Sequence, residues 1–254
     1  MARFSDRTTM TSADDIQLRR VRSFVRREGR LTDAQKRALG ALHARYGLSP
    51  GNHSLDLEAV FGRQAPVILE IGFGNGDSLA TMAQAHPDVD YLGVEVHRPG
   101  VGRLLNLVAE RGLSNVRVIC HDAVEVMERQ LRQGSLAGIQ LFFPDPWPKK
   151  RHHKRRIVQH DWVELAASRL RPGGWLHLAT DWEDYAQHML SVMEASPRFA
   201  NANGRNRYAE SPGDRPRTRF EERGTRKGHA VRDLIYWRCG QDAPDFGDQI
   251  NQGG

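Results

Sequence analysis

The stretch VILEIGFGNGDSLATMAQAH, residues 67–86, decides the fold of this chain. Its first five residues are apolar apart from one glutamate and predict a short strand. The glycines at 72, 74 and 76 predict a tight turn, and the residues after them predict a helix. A strand, a glycine-rich loop and a helix in this order are typical of α/β folds that bind a nucleotide-like ligand at the loop.

The same alternation of strand and helix continues along most of the chain. Further strands are predicted at residues 91–96, 116–120, 139–143, 175–180 and 231–239. Helices are predicted between them, at residues 101–112, 123–134, 162–174 and 182–195. Strands and helices at this spacing pair in parallel through right-handed crossovers, so we predict an α/β domain with a mostly parallel sheet.

The two ends of the chain differ in composition from this domain. Residues 1–50 are polar and basic, and we predict a partly disordered arm with one helix that begins after Thr32, a good N-cap, and runs to Ala44. Residues 51–240 then form the domain, and residues 241–254 a flexible tail. The length of 254 residues suits a single α/β domain with tails.

The composition also bears on the compartment in which the protein works and on whether it binds a metal. The N-terminus lacks the apolar core of a signal peptide, and no stretch approaches the roughly 18 apolar residues of a membrane helix. Cys120 and Cys239 have no metal-ligand spacing, which favours a reduced, cytoplasmic compartment. His121, His152 and His153 have no further ligands at suitable spacing, so we predict no metal site.

Positive charge is concentrated in one place, LFFPDPWPKKRHHKRR at residues 141–156. The net charge of the chain is +6, and this segment alone contains six Lys or Arg residues, so the remainder is close to neutral. Most such runs are solvated surface or localisation signals. Here the run begins beside Asp145 and Trp147 at the end of a predicted strand, which favours contact with the phosphates of a nucleic acid.

Four acidic residues lie at or just after the carboxyl ends of predicted strands. Glu70 and Glu95 close the first two strands, and Asp122 and Asp145 lie two residues past the third and fourth. Any one of them could be a turn or helix-cap residue. In an open parallel sheet, however, the carboxyl ends of the strands border the ligand crevice. We therefore predict that the four carboxylates meet at one edge of the sheet.

The glycine loop indicates which ligand these acids would bind. Gly72, Gly74 and Gly76 have the spacing G-x-G-x-G, whereas the dinucleotide fingerprint is G-x-G-x-x-G, and Asp77 stands in place of its last glycine. A carboxylate at the start of a helix would repel a pyrophosphate. S-adenosyl-L-methionine carries no phosphate and has a positive amino group and sulfonium, so it is the predicted cofactor. Glu95 is suitably placed for its ribose hydroxyls.

Together these motifs resemble the bacterial tRNA (guanine-N(7)-)-methyltransferase family of class I S-adenosyl-L-methionine-dependent methyltransferases. The resemblance rests on VILEIGFGNGDSL, YLGVEVHRPGVG, VICHDAVEV, LFFPDPWPKKRHHKRRIV, HLATDWEDYA and TRFEERGTRKGH, and it spans roughly residues 19–237. The string FFPDPW is specific to that family, whereas the glycine loop is shared by many methyltransferases. The resemblance implies a Rossmann-like, mostly parallel seven-stranded sheet with helices on both faces.

The resemblance also implies an activity, which is transfer of a methyl group to N7 of a guanine in the variable loop of tRNA. It implies Asp145 as the catalytic acid and a cofactor site that comprises Glu70, Gly72, Gly74, Glu95, Asp122 and Asp145. Substrate-binding positions would be Lys149, Asp181, Thr218, Arg219, Phe220 and Glu221, with Arg219 where many members have lysine. An RNA-interacting segment would comprise Arg151, His152, His153, Lys154, Arg155 and Arg156.

Alternatives remain open at this stage. Trp147 could stack on a splayed base or belong to the core, Phe220 could simply pack on the sheet, and Asp181 could cap the helix at residues 182–195. The chain could also be a nicotinamide-dependent oxidoreductase, or an RNA-binding module with a vestigial cofactor fold. The methyltransferase is predicted to act on tRNA as a monomer or homodimer, without a membrane or a metal.

Overall fold

A computed structural model of the chain describes residues 23–24, 30–210, 215–216, 221 and 230–240. The helices are α1 Asp33–Ala41, α2 His43–Tyr46, α3 Leu57–Phe61, α4 Asp77–Ala85, α5 Arg98–Glu110, α6 Ala123–Gln130, α7 His160–Arg169 and α8 Glu183–Glu194. The strands are β1 Gly47–Leu48, β2 Val67–Ile71, β3 Asp90–Val94, β4 Val116–Ile119, β5 Leu136–Phe142, β6 Leu170–Thr180, β7 Phe199–Asn201 and β8 Arg232–Arg238. A 3₁₀ helix, Lys150–Arg155, lies between β5 and α7.

The strands form one sheet in the order β1-β4-β3-β2-β5-β6-β8-β7. All neighbours from β1 to β6 are parallel, and β8 runs antiparallel to both β6 and β7. The strand order reverses at β2, whose neighbours are β3 on one side and β5 on the other. A ligand crevice is expected outside the carboxyl ends of the strands at such a reversal.

Strand β2 is almost entirely apolar because it lies in the middle of the protein. All five of its residues are buried, because helices cover both faces of the sheet. Leu69 packs in one cluster with residues of α7 and α8 such as Trp162 and Met189. On the opposite face, Ile68 packs with Leu79 of α4 and with residues of α5 and α1.

The sheet has eight strands rather than the predicted seven. The structure includes β1, a pair of residues that adds to the free edge of β4. A strand of two residues is too short to produce a hydrophobic period, so the sequence pattern does not reveal it.

The predicted N-terminal arm is partly a folded element. Thr32 is the N-cap of α1, as predicted, and forms a capping box with Gln35. The helix ends at Ala41 rather than Ala44, and α1 then packs on α5. Ala38 and Tyr46 are buried in the core, so part of the predicted arm packs against the domain. The domain boundary at residue 50 stays a prediction.

Other predicted boundaries shift for local reasons. Helix α5 begins at Arg98, three residues early, because Pro99 suits the first turn of a helix. Helix α6 ends at Gln130 instead of residue 134. Helix α7 ends at Arg169, and the RPGG segment that was predicted to terminate it lies in the long strand β6. Gly112 has φ 64 just after α5, as predicted for a helix end.

A buried charge network holds β8 to β6. Asp233 of β8 accepts a hydrogen bond from His177 of β6 at 2.7 Å. Arg215 binds both oxygens of the same carboxylate, at 2.8 and 2.9 Å, and its side chain is 1% exposed. Burial would raise the pKa of Asp233, but the hydrogen bonds from His177 and Arg215 outweigh it and lower the pKa below its usual range.

We predict that Asp233→Asn lowers the free energy of unfolding by about 1–3 kcal/mol at neutral pH, because Arg215 loses one of its two carboxylate partners and keeps the ion pair with Glu221. A carboxylate with a lowered pKa stabilises the fold above its unfolded pKa and loses that effect as the pH falls through its folded pKa. The difference between the variant and the wild type should therefore shrink below about pH 4. Urea denaturation at several pH values measures it.

Asp161→Asn is the matched control, because Asp161 is fully exposed on α7 and should be neutral to substitution. Equal unfolding free energies for Asp233→Asn and the wild type at neutral pH would contradict this account of the network.

Candidate active site

A cleft of about 1260 Å³ opens at the carboxyl ends of β2, β3, β4 and β5. The structure brings together in its wall every residue predicted for the cofactor, namely Glu70, Gly72, Gly74, Glu95, Asp122 and Asp145. The reversal of strand order at β2 creates the opening. Glu70 lies in β2 itself, and the other three acids lie in the segments that follow β3, β4 and β5.

The glycine loop between β2 and α4 follows a path that glycine alone adopts easily. Gly72, Gly74 and Gly76 have φ values of 72°, 58° and 77°. Helix α5 approaches the loop closely, because a Cβ atom on Gly100 would lie 2.0 Å from the carbonyl oxygen of Gly74. The loop is thus shaped by its own glycines and by a fourth glycine on a neighbouring helix.

Asp77 begins α4, as the sequence predicts, but it has a partner that the sequence does not reveal. Its carboxylate binds Arg103 of α5 at 2.7 Å, and both side chains are 38% exposed. Arg103 offsets part of the negative charge at this helix start. The electrostatic argument against a pyrophosphate is therefore weaker than the sequence alone suggests.

Glu95 holds the glycine loop against the end of β3. Its carboxylate accepts hydrogen bonds from three backbone N–H groups, those of Gly74 at 2.8 Å, Val96 at 2.7 Å and His97 at 2.9 Å. The predicted contact with ribose would use the remaining acceptor capacity of the two oxygens. Glu95 thus also organises the loop, which sequence analysis missed.

Glu70 is the most unusual acid of the cleft. It is 3% exposed, and burial, with a smaller contribution from the charge of Glu95, raises its pKa to about 8. Its Oε2 atom has no hydrogen-bond partner among the described residues. A buried carboxylate of this kind is costly unless a donor or a cation occupies the cleft beside it.

Asp122 is both a helix cap and part of the cleft. Its side chain accepts a hydrogen bond from the backbone of Val124 at 2.9 Å and so begins α6. Asp122 can therefore cap α6 and also bind a ligand, because a carboxylate has two oxygens that accept hydrogen bonds.

The corner after β5, residues 143–147, carries Asp145. Phe143 and Trp147 have positive φ values of 52° and 46°, which are uncommon for residues with a side chain. Asp145 is exposed and lines the cleft. Two residues with positive φ values therefore lie on either side of Asp145. Such backbone conformations cost free energy and recur at functional sites.

Trp147 is neither a core residue nor an open stacking platform. Its side chain is half-buried, and its Nε1 atom donates a hydrogen bond to the carbonyl oxygen of Ser23 at 3.1 Å. The guanidinium of Arg155 lies over the indole at 4.9 Å from the ring centre. Ser23 and Phe24 also line the cleft, and no motif or period in the predicted arm indicates this.

The basic segment divides into an exposed part and a buried residue. Lys149, Lys150, Arg151 and Lys154 are exposed, and His152, His153 and Arg155 are half-buried. Arg156 is 2% exposed, so its side chain is closed off from solvent, and the RNA contact predicted for it stays a prediction. The reason is a set of partners on distant elements, chiefly Asp184 of α8.

The predicted substrate residues have varied positions. Lys149 and Asp181 are not among the residues that line the cleft, although both follow strands that border it. The N-cap of α8 is Trp182, which makes no side-chain cap, so Asp181 does not cap that helix. Glu221 binds Arg215 at 2.8 Å. Thr218, Arg219 and Phe220 lie outside the described residues.

Two predicted absences can be examined within the same part of the chain. No group of His, Cys, Asp or Glu side chains among the described residues could hold a metal ion. None of the helices described is both long and apolar enough to cross a membrane. Cys120 and Cys239 are free cysteines.

Comparison with known proteins identifies relatives over most of the chain. A family model described as "Putative methyltransferase" matches residues 64–234. The tRNA (guanine-N(7)-)-methyltransferase of Alkalilimnicola ehrlichii is 60% identical over 86% of this chain and 92% of the relative. The enzyme of the same name from Thiobacillus denitrificans is 55% identical over 89% and 99%.

Solved structures support the fold. The 16S rRNA methyltransferase KamB superposes with a TM-score of 0.51 and covers 85% of this chain and 97% of its own. Its sequence identity is 16%, so the similarity concerns the fold alone.

We predict that Glu70→Gln changes how stability depends on pH. Between its ordinary pKa near 4.5 and about 8, Glu70 is charged in the unfolded chain but protonated in the fold. The folded state therefore loses stability as the pH rises through this window, and the variant should not show that loss. Urea denaturation at pH 5 and pH 8 should give an advantage to the variant that grows with pH.

Glu128→Gln, an exposed substitution on α6, serves as the control and should follow the wild type. The same variant pair should differ in cofactor affinity, with weaker binding only for Glu70→Gln in a calorimetric titration. A pH-independent difference between Glu70→Gln and the wild type would argue against the raised pKa.

Proposed function

The chain belongs to the tRNA (guanine-N(7)-)-methyltransferase family, and on that basis we propose that it transfers a methyl group from S-adenosyl-L-methionine to N7 of a guanine in tRNA. The observation that carries this proposal is the cleft itself. It combines an acid-lined pocket with an exposed carboxylate, Asp145, at its edge and cationic side chains next to it.

The residues of the cleft fit a cationic cofactor. Glu70 presents a buried carboxyl oxygen, Oε2, without a partner among the described residues, and Gly72 and Gly74 adopt positive φ values that shape the loop beside it. Glu95 and Asp122 provide further acceptors in the same wall. We propose that these residues hold the cofactor, which supplies an electrophilic methyl group on positive sulfur when bound.

The chemistry at the base requires few catalytic groups. Guanine N7 has an in-plane lone pair and no proton, so no residue has to act as a strong general base there. Holding the base in line is the main task, and good alignment is worth roughly 7–11 kcal/mol of the barrier.

Asp145 is the residue that we assign to the base. Its carboxylate can accept hydrogen bonds from N1 and the exocyclic amine of guanine. Positive charge develops on the base as N7 gains the methyl group, and a fixed carboxylate nearby stabilises that charge. The interaction accelerates the reaction only to the extent that it strengthens in the transition state.

We assign tRNA binding to the exposed cations of the basic segment. Lys149, Lys150, Arg151 and Lys154 project from the 3₁₀ helix and its entrance, beside the corner that carries Asp145. Contacts of this kind supply affinity and orientation but little base specificity. Selection of one guanine in the variable loop would then rest on the shape of the RNA and on a base turned out of its stack.

The finer substrate roles complete the proposal. We retain Lys149, Asp181 and the segment from Thr218 to Glu221 as contacts for the substrate, because these positions match the family motif. We further propose that the enzyme works in the cytoplasm, as a monomer or homodimer, where its two free cysteines stay reduced.

We predict that Asp145→Asn lowers methyl transfer to unmodified tRNA by roughly 10²–10³-fold, the usual effect of removing one charge-stabilising group from an active site. Incorporation of labelled methyl groups, followed by mapping of the modified base, measures it. Asp161→Asn, at an exposed site on α7, should retain wild-type turnover. Near-normal turnover of Asp145→Asn with intact cofactor binding would exclude this role.

We predict that replacing Lys150, Arg151 and Lys154 by glutamine flattens the salt dependence of tRNA binding. Each lost phosphate contact should reduce the slope of log K against log salt by about one. The control replaces Arg129, Arg132 and Arg171, three exposed cations at the opposite end of β5 and β6. An unchanged slope for the first triple variant, with cofactor affinity also unchanged, would refute this RNA-binding surface.

A further inference from the structure

Arg156 differs in environment from the basic residues that precede it. Its side chain is 1% exposed, whereas Lys149, Lys150, Arg151 and Lys154 are open to solvent. A side chain that is this deeply buried cannot reach a phosphate without leaving its place. Its function must therefore be sought in what it contacts inside the protein.

The guanidinium of Arg156 binds other parts of the protein through two of its nitrogen atoms, Nε and Nη2. Its Nε atom donates a hydrogen bond to the carbonyl oxygen of Pro146 at 2.9 Å. Its Nη2 atom binds the carboxylate of Asp184, in the first turn of α8, and lies 3.1 Å from Nε2 of His153. The plane lies over the ring of Tyr185 at 4.9 Å from the ring centre.

These contacts converge on the corner that carries Asp145. Pro146 is the next residue, and Trp147 after it has a φ of 46°, a backbone state that costs of order 1–3 kcal/mol and persists only when the surroundings hold it. Arg156 fixes the carbonyl oxygen of the peptide that joins Pro146 to Trp147. If this peptide plane rotated, the corner would change shape one residue after Asp145, and the direction of the Asp145 carboxylate would change with it.

We propose that Arg156 is a positioning residue for methyl transfer. It connects the corner at residues 143–147 to the first turn of α8 and so sets the direction of Asp145. This inference rests on the proposed function, because it needs Asp145 to act on the base. It assigns Arg156 a role distinct from that of the phosphate-binding cations beside it.

The geometry requires arginine rather than a general positive charge. The planar fork serves Pro146 through Nε and Asp184 through Nη2 at the same time. The compact ammonium of lysine could keep the ion pair but could not present donors in these two directions with the same fixed geometry. Arg156→Lys should thus preserve the charge yet lose the restraint on the corner.

The test compares Arg156→Lys and Arg156→Gln with the wild type in three measurements. We expect kcat at saturating tRNA to fall roughly 10- to 100-fold, the effect of a small misplacement of a catalytic group. We expect an unchanged KM for tRNA, an unchanged salt slope of tRNA binding and an unchanged affinity for S-adenosyl-L-methionine. Arg156→Lys should retain more stability than Arg156→Gln but recover little of kcat.

Arg169→Gln is the matched control for a purely structural loss. Arg169 also donates to backbone carbonyls, those of Met127 and Glu128, but it lies at the end of α7 away from the cleft. It should lower the unfolding free energy while kcat stays at the wild-type level. If Arg156→Lys and Arg156→Gln also leave kcat at that level, the positioning role is wrong.

Asp184→Asn keeps the test decisive if the Arg156 variants do not fold. Asp184 is 62% exposed, so its replacement should be tolerated, and it should lower kcat in the same direction without reducing the salt slope. A salt slope that falls by about one for Arg156→Gln, with normal kcat, would instead identify a phosphate contact. Absence of methylation by the wild-type enzyme would overturn the proposed function itself, which is a different result.

Discussion

The burial of β2 between two parallel neighbours is the constraint on which the rest of the structure depends. Helices cover both of its faces, and the strand order reverses beside it, so a cleft opens at its carboxyl end. The glycine loop has to leave the sheet at this place. Its backbone passes so close to α5 that Gly100 can carry no side chain, which locks the loop between two helices.

The cleft brings together carboxylates that have very different surroundings. Glu95 is satisfied by three backbone N–H groups, whereas Glu70 is buried with one oxygen lacking a partner among the described residues, and its pKa is raised to about 8. Asp145 stands in the open at the edge of the cleft. Three acids that look equivalent in the sequence therefore differ in what they can do, because burial and donors decide the cost of their charge.

Much of the fold could be predicted from the hydrophobic periodicity of the sequence and from the residues that begin and end helices. The strands at residues 67–71 and 116–119 were predicted to within one residue, and the N-cap at Thr32 was confirmed. The two-residue strand β1 could not be predicted, because its pairing with β4 depends on a neighbour some 70 positions away. The helix after Thr32 was predicted but its packing was not, because α1 contacts α5 and β1 pairs with β4, and both partners lie far along the chain.

The sequence by itself determined the α/β alternation, the glycine spacing and the place of four acids at strand ends, because these depend on residues that are close together in the chain. Only the tertiary structure decided which side chains lie at the surface or in the cleft and which are buried in contact with other parts of the protein. Arg155 and Arg156 are adjacent and chemically identical, yet one lies over Trp147 at the surface and the other is buried. Asp184 and Tyr185, from a helix that begins almost 30 residues later, make that difference, and no local pattern contains them.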